Sequence, residues 1–149
     1  MTEHGLDLSD DFTGRPGAAF VVGGSGGLGA AVVRELAARG SDVAFTYRQN
    51  EASAAQLAQT VSDLGRQAWT IGLDLRNHDG CAQAIDAIAE TAGGIHTLVY
   101  AAGPHVPQKH LSTVTPAELQ EQLDADASGF FAVASPALPH LRQTEGSIV

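Results

Sequence analysis

Short apolar runs alternate along this chain with longer stretches of helical period, a pattern that predicts a parallel sheet covered by helices. Ala18 to Val22, Asp42 to Tyr47, Gln67 to Gly72 and Ile95 to Tyr100 read as strands. Each is short, bounded by polar or glycine residues, and mostly β-branched or aromatic inside. Ser147 to Val149 begins a fifth. Between them, Leu28 to Arg39 reads as a helix closed by Gly40, and Asn50 caps a second whose Ala54, Leu57, Val61 and Leu64 share one face before Gly65. Cys81, Ile85, Ile88 and Ala92 form a third stripe ending at Gly93 and Gly94, which makes Cys81 a small core residue.

The last helix carries the clearest start signal: Thr115 as N-cap, Pro116 at the first helical position and Glu118 completing a capping box. Its expected apolar face is Leu119, Leu123, Ala127, Phe130, Ala134, Leu138 and Leu141. Pro136 and Pro139 should bend or restart it, because each removes a backbone donor and crowds the preceding turn. The fold class is therefore α/β, a doubly wound parallel sheet of the Rossmann type in three α/β/α layers that stops at the start of its fifth strand. Residues 18–149 form one domain behind an N-terminal arm, 1–17.

Composition narrows the partners. The 149 residues carry 17 acidic and 8 basic side chains, a net charge of −9, a poor balance for phosphate backbones or anionic lipid. Nucleic acid and membrane are not expected partners. The first 17 residues hold acids and no apolar run, and no segment approaches the roughly 18 apolar residues of a membrane span. The single Cys81 offers neither an internal disulfide nor a metal-ligand pair, and the six histidines stand at no metal-ligand spacing. The expected address is the cytoplasm.

The candidate chemistry lies in the loop Gly23-Gly24-Ser25-Gly26-Gly27-Leu28-Gly29, between the first strand and first helix. Its five glycines let the backbone turn tightly and approach a ligand, and the helix amides that follow suit a pyrophosphate. A phosphate-binding P-loop is excluded, since Ala30 and Ala31 stand where Lys and Ser or Thr are needed. A hydrolase elbow is formally matched by Gly23 to Gly27, with Asp124 and His140 following Ser25, but it leaves Gly29 unexplained. At the end of the second strand stands Tyr47-Arg48-Gln49-Asn50, with no acid for ribose hydroxyls. Arg48 there argues for NADP over NAD; a solvated surface arginine is the plain alternative.

These residues resemble the short-chain dehydrogenase/reductase family, particularly its 3-oxoacyl-carrier-protein reductases, from about Ala18 onward. The family's Gly-x-x-x-Gly-x-Gly falls on Gly23, Gly27 and Gly29. The resemblance implies that Asp74 and Leu75 bind adenine, the carboxylate accepting from the exocyclic amine. It implies that Ala101, Ala102 and Gly103 approach the cofactor where the family has Asn-Asn-Ala-Gly; Tyr100 and Ala101 replace both asparagines. The implied cofactor site is thus Gly23, Ser25, Gly26, Gly27, Leu28, Gly29, Tyr47, Arg48, Asn50, Asp74, Leu75, Ala101, Ala102 and Gly103, with NADP as cofactor and a small-molecule or acyl-thioester carbonyl as substrate. Family members assemble through the helix that begins here at Pro116, which implies a homo-oligomer.

Two departures bear on catalysis. Asp126 stands where the family has a catalytic asparagine. The family's serine and Tyr-x-x-x-Lys follow the strand that begins here at Ser147, and the only lysine, Lys109, has His105 four residues before it. His105 and Lys109 read as solvated loop residues. A Rossmann half without catalytic residues is one reading, and a non-catalytic nucleotide-binding or interaction module is the other.

Overall fold

The computed structural model describes residues 12–103 and 108–149. Five parallel strands, β1 (Ala18–Val22), β2 (Val43–Tyr47), β3 (Ala68–Gly72), β4 (Ile95–Tyr100) and β5 (Ser147–Ile148), lie in the order β3-β2-β1-β4-β5. Helices α1 (Gly27–Ala38), α2 (Glu51–Asp63), α3 (His78–Ala92), α4 (Pro116–Leu123) and α5 (Gly129–Gln143) complete it.

Alternation along the central strand explains the layers. Successive side chains of β1 point to opposite faces. Ala19 and Val21 join Val33 and Leu36 of α1 and Leu57 and Val61 of α2. Phe20 and Val22 join Cys81, Ile85 and Ile88 of α3 and Val133, Ala137 and Leu141 of α5. With both faces covered, β1 has no exposed position, which is why it reads as an unbroken apolar run. β3 is only partly buried, as an edge strand should be.

The caps act as the spacing predicts. Gly40 follows α1 at φ 90°, and the amides of Gly40 and Ser41 return to the carbonyls of Ala37 and Leu36 in a Schellman pattern. Gly65 does the same for α2. Asn50 Oδ1 accepts the Ser53 amide, and the Thr115–Glu118 capping box closes in both directions.

The last helix departs from expectation. Pro136 and Pro139 sit inside an uninterrupted α5; the break comes earlier, in a π-helical turn at Asp124–Ser128. Val133, Ala137 and Leu141 pack into the core and hold the helix through its prolines, and the residue left without its bond by Pro139, Ser135, is exposed. The π turn also shifts the phase of the helix face. The stripe expected to be buried from Leu119 to Leu141 is split: Leu119, Leu123, Ala127, Phe130 and Leu138 are exposed. Ala134 and Leu141 alone of that stripe are buried, beside Gly129, Ala132, Val133 and Ala137.

At the opposite edge of the sheet from the glycine loop, the segment before β1 is fastened down. The Phe12 amide donates to the Arg39 carbonyl, the Phe12 ring stacks on His96 at 5.3 Å, and Arg15 donates to the Glu145 carbonyl. Asp42 lies at this end too, its Oδ1 accepting the Gln67 amide.

Candidate functional site

The carboxyl ends of β1, β2, β3 and β4 bring the glycine loop, Tyr47–Arg48, Asp74–Leu75 and Ala101–Gly103 to one edge of the sheet. The edge includes the point between β1 and β4 where strand order reverses, the usual ligand crevice of such sheets.

The loop is shaped from beneath. Gly23 has φ 78°, and a Cβ there would lie 2.7 Å from both Cα and N of Ala102. A Cβ on Gly29 would lie 2.2 Å from the Gly23 carbonyl oxygen, and one on Gly24 would lie 2.4 Å from Phe45 Cβ. These three positions exclude any side chain for reasons internal to the protein. Gly27 differs: nothing lies within 4 Å of its would-be Cβ, although it opens α1. No side chain caps α1, and its first turn holds no acid, so its leading amides are open to an anion. Leu28 beside them is largely exposed, at 74%.

A latch holding the loop escapes the sequence reading. Thr46 Oγ1, buried within β2, accepts the Gly23 amide at 2.8 Å, and the Thr46 carbonyl accepts from Ser25 at 3.4 Å. Its signal was a lone hydroxyl residue inside an otherwise apolar strand.

The residues expected around adenine and its ribose also gather. Tyr47 packs over Gly72, whose would-be Cβ meets the ring at 3.4 Å. Arg48 is exposed, and its charge helps depress the Asp74 pKa. Asp74 itself is already engaged: Arg76 reaches both its oxygens, Nε to Oδ1 at 3.0 Å and an amino nitrogen to Oδ2 at 2.7 Å, and its amide adds a 3.1 Å bond. Those bonds pull the carboxyl down to about 2, so it remains ionised throughout the neutral range. Arg76 was not among the expected site residues; its position two residues after Asp74 is the cue. One lone pair of Oδ2 still suits an amine donor. Asn50 spends Oδ1 on its helix cap, which leaves its amide nitrogen outside that bond.

Several other side chains have structural roles. Cys81 is buried with its thiol toward the Asp74 and Leu75 carbonyls, and burial raises its pKa. His140 pairs with Asp86 at 2.9 Å and Asp124 accepts from Gln120, so Ser25, Asp124 and His140 form no triad. Lys109 is exposed, as expected of a solvated loop residue, and ion-pairs at the surface with Glu118 of the capping box; His105 lies outside the described residues. Tyr100 donates to the Ala125 carbonyl at 2.9 Å and its pKa is raised to about 12, chiefly by burial and then by the charge of Asp126. Among the described residues no group of three or more metal-ligating side chains gathers, and no helix is long and apolar enough to cross a membrane.

Comparison with known proteins decides the family. The family model for short chain dehydrogenases matches residues 17–149. The chain belongs to the short-chain dehydrogenase/reductase family. This short-chain dehydrogenase/reductase chain is 30% identical over 146 residues to 3beta-hydroxysteroid dehydrogenase 1 of Eggerthella lenta, covering 95% of the chain and 54% of that relative. A short chain dehydrogenase from Burkholderia cenocepacia, solved in complex with NADP, is 31% identical with a TM-score of 0.77, over 85% of this chain and 52% of that one. Carveol dehydrogenase from Mycobacterium avium, solved with NAD, shares the fold at 24% identity and a TM-score of 0.79, over 91% and 55% of the two chains. This short-chain dehydrogenase/reductase chain spans about half the length, or less, of the first curated relatives it matches.

Proposed function

We propose that residues 18–149 are the NADP-binding part of a short-chain reductase that transfers hydride between nicotinamide and a ketone or acyl-thioester carbonyl. The observation that carries this reading is the contrast within the loop. Gly23, Gly24 and Gly29 have no room for a side chain, whereas Gly27 faces open space at an uncapped, acid-free helix start. Such a loop suits a pyrophosphate, with Gly23, Ser25, Gly26, Gly27, Leu28 and Gly29 around it.

Asp74 and Leu75 would receive adenine, and Ala101, Ala102 and Gly103 would floor the site. Arg48, with Tyr47 and Asn50 beside it and no acid at the end of β2, would meet a ribose 2′-phosphate, the group that distinguishes NADP from NAD. The bound cofactor supplies the hydride. The 149 residues hold no Tyr-x-x-x-Lys pair, so by themselves they offer no proton donor for carbonyl reduction. The cytoplasm and a homo-oligomer are part of the same proposal.

Titration of NADPH and NADH into the wild type and Arg48→Ala tests it. The wild type should prefer NADPH by about 10- to 100-fold, and Arg48→Ala should lose most of that preference. Equal wild-type affinities, or equal losses in the variant, would overturn the NADP assignment. A second reading, a nucleotide-binding or interaction module without reductase chemistry, is favoured by Tyr100, which spends its hydroxyl on Ala125 where the family has an asparagine. Neither reading expects turnover from the 149 residues alone. A Tyr-x-x-x-Lys encoded downstream in the same reading frame, with NADPH oxidation by ketones or 3-oxoacyl thioesters in the longer chain, would exclude the second.

A further inference from the structure

We propose that Arg34, together with Ser25 and Ser53, forms a second binding locus for the ribose 2′-phosphate, on the helix side of the glycine loop. The inference rests on the NADP reading and adds to it a specificity residue that the end of β2 does not contain.

A cavity of about 350 Å³ opens between α1 and α2, lined among others by Ser25, Arg34, Ser53 and Gln56. Ser25 belongs to the glycine loop, so the cavity is continuous with the nucleotide site. Arg34 lies two turns into α1 and lines the cavity with Ser25, and helical side chains lean toward the helix N-terminus, the end at which Ser25 stands. Ser53 enters from the first turn of α2, beside the cap that follows Arg48.

The polar groups meeting here are unspent. Four of the other guanidiniums are engaged by protein oxygens: Arg15 by the Glu145 carbonyl, Arg39 by Glu35, Arg66 by the Gly40 carbonyl and Arg76 by Asp74. Arg48 and Arg142 share with Arg34 the absence of such a bond among the described residues but do not line this cavity. Arg34 has no hydrogen bond or ion pair among the described residues. Sequence explains why, since its neighbours three and four positions away are Ala30, Ala31, Ala37 and Ala38. The adjacent acid, Glu35, is held by Arg39. The hydroxyls of Ser25 and Ser53 likewise have no partner among the described residues. A cation and two hydroxyl donors facing one cavity match a phosphate monoester. Gly26 contributes no charge from the loop itself, which leaves Arg34 as the cation on this side and Arg48 on the other.

The test titrates NADPH, NADH and, as a minimal probe, 2′-AMP against 5′-AMP, into the wild type, Arg34→Ala, Arg34→Lys and Arg48→Ala. Arg34 is exposed on a helix surface, so its replacement should leave folding intact. Arg34→Ala should weaken NADPH and 2′-AMP roughly tenfold, leave NADH and 5′-AMP within about twofold, and flatten the salt dependence of NADPH binding. Arg34→Lys should recover part of the loss.

Unchanged NADPH binding in Arg34→Ala, or equal losses for both nucleotides, overturns the role of Arg34. If Arg48→Ala alone loses NADPH selectively, the NADP reading stands without it. If the wild type binds NADPH and NADH equally, or binds neither, the NADP reading itself has failed and Arg34 falls with it.

Discussion

Tyr100 at the end of β4 donates its hydroxyl to the carbonyl of Ala125, in the π turn that divides α4 from α5. The oxygen occupies a notch made by Gly129, where a Cβ would approach it to 2.8 Å. The ring meets Phe130 edge-on at 5.4 Å. A π turn releases a carbonyl from regular pairing, and a donor from the neighbouring strand takes it up.

That arrangement predicts coupling. Tyr100→Phe should destabilise by about 1 kcal/mol through the lost hydrogen bond, and Gly129→Ala by about 1–3 kcal/mol through overpacking. Together they should cost less than the sum, because removing the hydroxyl removes the clash. Denaturant unfolding of the four proteins in the cycle measures this, and strict additivity would sink the notch.

The loop glycines should separate into two kinds. Gly23→Ala combines a left-handed φ with backbone contact and should cost at least about 2 kcal/mol and abolish nucleotide binding. Gly27→Ala meets nothing and favours helix, so stability should hold or rise by up to about 1 kcal/mol, while nucleotide affinity falls as the methyl enters the ligand's space. Thermal unfolding and nucleotide titration on both variants decide it; a destabilised Gly27→Ala with normal binding would contradict the ligand-facing role.

Thr46→Val should remove the acceptor of the Gly23 amide and cost about 1–3 kcal/mol if that amide is left unpaired. Thr46→Ser should preserve most stability. Amide exchange at Gly23 offers the direct measurement, slow in the wild type and in Thr46→Ser, and faster in Thr46→Val.

Acid should expose His96. Its Nε2 lies 3.2 Å from Ser41 Oγ and its Nδ1 2.9 Å from Thr97 Oγ1. Ser41 gives its own proton to the Asp42 carbonyl, so Nε2–H donates to Ser41 and Nδ1 accepts from Thr97. The neutral ring is fully satisfied, and burial, then the charge of Arg15, lowers its pKa from 6.5 to about 4. The unfolded chain therefore binds this proton first. Stability falls as pH drops from about 6.5 toward about 4, by up to about 3 kcal/mol, and this contribution levels off below. His96→Gln should show a shallower decline over that range; an identical slope would remove His96 as the cause.

The strands, the caps and the glycine loop were legible because each depends on local pattern: β-branched runs, Asn50 and Thr115 before helices, Gly40 and Gly65 after them. The last helix was misread because its geometry is decided elsewhere. Nothing between Leu119 and Leu141 announces a π turn whose Ala125 carbonyl is met by Tyr100 from another element, or that core packing will carry Pro136 and Pro139. In the candidate site, the close backbone approach of Gly23 to Ala102 fell on residues singled out as a glycine and an alanine. Thr46 and Arg76 were missed because their roles are set by contacts across a fold or a turn, Thr46 reaching 23 residues back to Gly23 and Arg76 curling onto Asp74.

The approach of Gly23 to the backbone of Ala102 has a consequence for the order of assembly. The loop leaves the ribosome before β4 does, but the surface that defines its shape arrives only when β4 docks beside β1, after three crossovers have closed. Nucleotide affinity is thus acquired late, as a property of the joined strands. Conversely, a bound nucleotide draws the whole β1–β4 seam toward its closed state, raising the free energy needed to part the two strands by an amount set by ligand concentration over dissociation constant.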